Sequence, residues 1–273
     1  MTIMMLEKQV QAVILDWAGT AVDYGCIGPV KAFIRVFGNH GVEVTTAEAR
    51  TPMGLMKKDH IRAICGMERV ASRWAEIHGR IPAESDVEAM FLELEPLMAA
   101  TVADHADPVP GLIEAVAAFR EQGIRIGSTT GYTHTIMEQL IPAAAKRGYR
   151  PDAIVSSSDV PAGRPYPWMC YLNAIKLQVY PFAAMVKIGD TVTDIQEGLN
   201  AGMWTVGVTQ TGNELGLTEE EVAALDQEDL RQRLNLVERR FQRAGAHFLV
   251  ETIGACPGVI DRINRCLARG ELP

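Results

Sequence analysis

A chain of 273 residues, 48% of them hydrophobic and 22% charged, has an ordinary globular composition and is long enough for one core domain carrying a second, smaller unit. Its net charge of −8 argues against nucleic acid as a partner and against a basic helix lying on a membrane, because both need clustered Lys and Arg. An anionic substrate would need a local device, a cation or a helix N-terminus, to overcome that charge.

Residues 1–8 lack the positively charged start and apolar core of a signal peptide, and no run of about 18 apolar residues reads as a membrane span. Residues 10–15 are apolar and β-branched and end at Asp16, which predicts a buried parallel strand. Residues 24–105 contain no strand pattern. They predict helices over 29–40, 57–65, 69–78 and 84–105, with Pro29 in a first turn and Gly41 as a stop. The stretch 107–111 reads as a linker. A helix over 111–122 follows, with Leu112, Ile113, Val116 and Phe119 repeating at helical spacing and Gly123 ending it. Strands are predicted at 124–129, 153–155, 185–188 and 205–208, and helices at 133–147 and 193–201. Glu219, Glu220 and Glu221 read as a solvated helix start. The tail adds a helix at 229–243, a short strand at 247–250 and a helix at 258–269.

Strand–helix alternation of this kind predicts an α/β fold with a doubly wound parallel sheet, built from residues 1–23 and 106–273, with an all-helical domain inserted at 24–105. The five cysteines, Cys26, Cys65, Cys170, Cys256 and Cys266, form no Cys-x-x-Cys pair and are odd in number, which reads as reduced thiols in a cytoplasmic protein. The glycines at 127, 131 and 189 match no dinucleotide fingerprint, so no NAD is expected.

Ligands of open α/β sheets bind beyond the carboxyl ends of the strands. Those ends carry Asp16-Trp17-Ala18-Gly19-Thr20, then Thr129-Thr130-Gly131-Tyr132, then Gly163-Arg164-Pro165, then Gly189-Asp190 with Asp194 four residues on. Each has a chemical use. A carboxylate fixed at a strand end can attack phosphorus. Asp16 and Asp190 together offer hard oxygens that suit Mg²⁺ completed by waters and a phosphoryl oxygen. The Thr130 hydroxyl, the backbone N–H groups after it and the Arg164 fork can hold phosphoryl oxygens. Taken singly, Asp190 or Asp194 reads as a helix cap and Arg164 as a surface residue. The set in this order makes coincidence a poor explanation.

These four segments resemble the motifs of the haloacid dehalogenase superfamily, and the resemblance runs over the whole chain. One position departs from it. The residue two after the nucleophile is usually an Asp that serves as general acid and base, and here it is Ala18. General acid catalysis contributes about 10²–10⁴-fold, so a phosphate-ester hydrolase would be handicapped. A leaving group that needs no proton from this position would not be. Lys57, in the helical insertion, supplies one: an imine between a lysine and a substrate aldehyde is an electron sink beside a carbon–phosphorus bond.

That combination is similar to the family of phosphonoacetaldehyde hydrolases, through Asp16-Trp17-Ala18-Gly19-Thr20, Met53-Gly54-Leu55-Met56-Lys57, Ser128-Thr129-Thr130-Gly131-Tyr132 and Pro161-Ala162-Gly163-Arg164-Pro165-Tyr166-Pro167-Trp168. The resemblance implies Asp16 as nucleophile, Lys57 rather than Lys58 as imine-forming lysine, and Mg²⁺ held by Asp16, Asp190 and the Ala18 carbonyl with Asp194 in support. It implies phosphonoacetaldehyde as substrate, contacted by Cys26, Met53, His60, Thr130, Gly131, Tyr132 and Arg164, and a homodimer joined through the inserted domains. His60, three residues after Lys57, would share its helix face and could shuttle a proton. Phe33 and Phe37 would contribute an apolar face for the dimer, and Trp168 and Tyr171 read as packing residues. The alternatives are a phosphomonoesterase or phosphomutase, which lacks its acid at Ala18, and a non-catalytic phosphate sensor, which would not need Asp16, Asp190 and Asp194 intact.

Overall fold

The computed structural model describes residues 9–273. The reading of residues 1–8 as no signal peptide therefore lies outside the described residues. Six strands form one parallel sheet in the order β3-β2-β1-β4-β5-β6: β1 Ala12–Leu15, β2 Arg125–Thr130, β3 Ala153–Ser156, β4 Met185–Gly189, β5 Trp204–Val208 and β6 Phe248–Val250. This is the doubly wound α/β core expected from the sequence. β1 is buried along its whole length because helices cover both faces of the sheet. Its residues alternate between two cores: Val13 and Leu15 join one, Ala12 and Ile14 the other.

Five helices lie between β1 and β2: α1 Ile27–Asn39, α2 Thr46–Arg50, α3 Lys57–Cys65, α4 Glu68–His78 and α5 Glu84–Thr101. The core helices are α6 Leu112–Glu121, α7 His134–Lys146, α8 Trp168–Leu177, α9 Val192–Asn200, α10 Glu219–Ala224, α11 Gln227–Ala244 and α12 Cys256–Ala268. Within the insertion α5 packs on α1 and α3, and it reaches the core through α7. The helix expected at 84–105 ends at Thr101 and tightens into a 3₁₀ turn, Val102–His105.

Two helices were not anticipated. α2 is five residues long, and only its capping box shows it: Thr45 Oγ1 accepts from the Glu48 N–H at 3.2 Å and the Thr45 N–H donates to Glu48 Oε2 at 2.9 Å. α8 starts directly after Pro165 and Pro167, which mask its beginning. Two expectations are corrected. Phe33 and Phe37 are fully buried within the chain, so they offer no face to a second copy. Trp168 is 42% exposed rather than packed inside, while Tyr171 stacks on Phe182 with ring centres 4.8 Å apart. The five cysteines are free thiols, and no helix among the described residues is long and apolar enough to cross a membrane.

Candidate active site

Strand order reverses between β1 and β4, and the register sets Leu15 opposite Ile188. The Asp16 N–H donates to the Ile188 carbonyl at 3.0 Å, so Asp16 and Asp190 emerge side by side at the topological switch point. Asp190 is fully buried. Its Oδ1 accepts from Thr20 Oγ1 at 2.7 Å and its Oδ2 from the Asn213 N–H at 2.8 Å. Burial, with the Asp16 and Asp194 charges, pushes its carboxyl up to about 8. Burial also raises Asp16, with Arg164 opposing. One oxygen from each of Asp16, Asp190 and Asp194 lies within 4.8 Å of the others. A crowded set of buried, hard oxygen donors fits a divalent metal ion, whose charge would offset the crowding that raises Asp190.

Asp194 has a second role, as the sequence allowed. It forms a capping box with Thr191 at the start of α9. Its Oδ1 accepts from Lys187 Nζ at 2.6 Å and faces Arg164 Nη2 at 3.1 Å. Although burial opposes it, these two cations hold its carboxyl below the usual range. Arg164 is not a surface residue but is 5% exposed. Its Nη2 donates to Asp16 Oδ1 at 2.5 Å and to Thr129 Oγ1 at 2.9 Å, and its Nε to Glu197 Oε2 at 2.9 Å. Glu197 also faces Lys187 at 3.5 Å. Lys187, Glu197, Thr20 and Asn213 were not singled out from the sequence. Two signals were there: a lysine interrupting the buried strand β4, and an acid one turn beyond Asp194 on α9.

The other half of the site comes from the insertion. Lys57 is the first residue of α3 and only 4% exposed. Among the described residues no carboxylate lies within salt-bridge distance of its Nζ, which sits 4.7 Å from the Tyr132 ring centre and 5.4 Å from that of Phe33. Burial lowers its pKa to about 8. Lys58 instead pairs with Glu84 at 3.8 Å and with Glu88 on the outer side. Asp16, Lys57, Thr130 and Arg164 line one cavity. Ala18, Cys26, Met53, Gly131 and Tyr132 are also part of its wall. The Cys26 thiol donates to the Ala18 carbonyl at 3.1 Å, and burial keeps it protonated by raising its pKa well above the usual value.

The turn before Lys57 docks backbone-to-backbone on the core. A Cβ at Gly131 would lie 2.6 Å from the Leu55 carbonyl oxygen. Gly54 has φ +92°, and a Cβ there would lie 2.1 Å from Thr193 Oγ1. His60 departs from expectation. It does not line the cavity; its ring stacks on Phe33 at 3.8 Å between centres, and its Nε2 donates to the Ala49 carbonyl at 2.8 Å. The i,i+3 spacing puts it near Lys57, but the helix turns it into the insertion's own core.

Comparisons with known proteins identify the family. A family model for haloacid dehalogenase-like hydrolases matches residues 10–202. A phosphonoacetaldehyde hydrolase of Syntrophobacter fumaroxidans is 60% identical over 97% of this chain and 95% of its own length. One of Bacillus cereus is 50% identical over 94% and 97%. The crystal structure of a phosphonoacetaldehyde hydrolase-like protein from Oleispira antarctica superposes with a TM-score of 0.95 at 41% identity, covering 97% of this chain and 96% of that one. The chain belongs to the haloacid dehalogenase-like hydrolases and, within them, to the phosphonoacetaldehyde hydrolase family.

Proposed function

We propose that this chain hydrolyses phosphonoacetaldehyde to acetaldehyde and phosphate, with residues 24–105 acting as a cap over the core and Mg²⁺ held by Asp16, Asp190 and the Ala18 carbonyl. The observation that carries this reading is a buried lysine without a carboxylate partner among the described residues, sharing one cavity with a strand-end aspartate. Mg²⁺, when bound, supplies positive charge beside the phosphoryl oxygens.

The side chains then divide the work. Neutral Lys57 attacks the aldehyde carbon, and loss of water with uptake of one proton from solvent leaves a protonated imine. Thr130, whose Oγ1 accepts from the Tyr132 N–H at 3.1 Å, and the Gly131 N–H orient the phosphonate. Asp16 attacks phosphorus; the carbon–phosphorus bond breaks and its electron pair moves into the imine, giving an enamine. Protonation of the enamine carbon and hydrolysis of the imine release acetaldehyde. Water hydrolyses the aspartyl phosphate and regenerates Asp16. No step asks position 18 for a proton, which is consistent with Ala18. Arg164 holds Asp16 in line and balances its charge before the phosphoryl group arrives. Phosphate release from phosphonoacetaldehyde, measured against a panel of phosphate monoesters, tests the reading; preference for the esters would overturn it.

A further inference from the structure

The cap meets the core at a second place, where Arg50 at the end of α2 faces the loop after β5. Arg50 Nη1 donates to the Gly25 carbonyl at 2.7 Å and to Asn213 Oδ1 at 3.2 Å. Asn213 Nδ2 donates back to the Arg50 carbonyl at 3.2 Å. Gly25 stands at the entry to the insertion, and its N–H donates to the Thr211 carbonyl at 2.7 Å. The same Asn213 uses its backbone N–H on Asp190 Oδ2. Two glycines permit this double approach. A Cβ at Gly216 would lie 2.8 Å from Arg50 Nε, and one at Gly212 would lie 2.1 Å from the Asp190 Cβ. The loop thus touches a cap side chain and a core carboxylate at once.

We infer that Arg50 is a positioning residue: its paired hydrogen bonds with Asn213, made when the cap is closed, fix the loop so that the Asn213 N–H orients the Asp190 carboxylate for the cation. Cap closure and cation binding then favour each other reciprocally. The inference rests on Asp190 being a cation ligand. It concerns neither the nucleophile nor the imine. Asn213→Ala retains the N–H that reaches Asp190 and removes only the side-chain tie, so it cuts the same link as Arg50→Ala.

The test is calorimetric titration of the full chain with Mg²⁺, without substrate, for the wild type, Arg50→Ala, Asn213→Ala and the double variant. Backbone hydrogen exchange over residues 211–216 is followed in parallel. Each single variant is expected to weaken Mg²⁺ binding about 5- to 10-fold, the double variant no more than either, and exchange to rise in all three. Arg50→Lys, which keeps the charge but not the fork, replaces Arg50→Ala if the latter does not fold, with the same direction expected. Wild-type affinity in the Arg50 variant, or losses that simply add in the double variant, would overturn the inference alone. A wild-type chain that binds no Mg²⁺ would overturn it together with the reading of the site.

Discussion

The Lys57 ammonium sits 4.7 Å from the centre of the Tyr132 ring, with the residue 4% exposed. The aromatic face offers the cation some compensation, but burial dominates and lowers the pKa to about 8. About a tenth of the side chain is then neutral at pH 7, far more than for a free lysine. Borohydride trapping of acetaldehyde on Lys57 is expected to accelerate with pH through about 8 and to level off above it. Lys57→Arg should lose both trapping and turnover, and Lys58→Arg should keep both. Label found on Lys58 alone would move the imine elsewhere.

The same burial has a stability cost. The folded pKa of Lys57 lies near 8 and its ordinary value is 10.5. The cost of burying the charge is therefore fully present below pH 8, shrinks between about 8 and 10.5, and vanishes above. Lys57→Met is expected to stabilise the fold at pH 7 by up to roughly 3 kcal/mol, less whatever the ring contacts return. Urea denaturation at pH 7 and at pH 10.5 should show the gain at the first and little at the second; equal curves for both proteins at pH 7 would contradict it.

Asp190→Ala should abolish Mg²⁺-dependent turnover, since it removes a hard donor from the acidic cluster. Excess chelator should do the same to the wild type. Full activity in chelator would remove the metal from the proposal.

Asp16→Asn preserves side-chain shape and removes the proposed nucleophile, so a folded, inactive protein is expected. Thermal melting checks the fold and phosphate release the activity. Sustained hydrolysis by this variant, with mass spectrometry excluding reversion to Asp, would rule out an aspartyl phosphate.

Lys187 is fully buried among Asp194 and Glu197. Among the described residues, Lys187→Met would leave Arg164 as the one ion-pair partner of Asp16, Asp194 and Glu197, with Asp190 beside them. Breaking a buried pair in this way costs about 3–5 kcal/mol. A shift of the urea midpoint to lower concentration is the expected readout.

The chain's own pattern determined the strands of the sheet to within about two residues, because parallel strands covered on both faces are continuous apolar runs. It placed Asp16, Thr130 and Asp190 at strand ends because ligands of such sheets gather there. Pro29 and Gly41 marked the two ends of α1, and Gly123 the end of α6, each to within two residues. Helices α2 and α8 were less legible, one too short to show a period and the other hidden behind prolines.

Tertiary structure decided everything that depends on side chains meeting across the fold. Arg164 reaches Asp16 over 148 positions of sequence, and no local pattern encodes that encounter. Lys187 and Glu197 become one network with Arg164 only when β4 and α9 pack under the Arg164 loop. His60 shows the converse. Its spacing from Lys57 gives a shared helix face, but the face splits between a cavity and a core, and only the packing of Phe33 assigns His60 to the core. Lys57 is a polar residue in sequence; its lowered pKa is a property of the packed fold around it, because desolvation exists only once other elements have displaced the water.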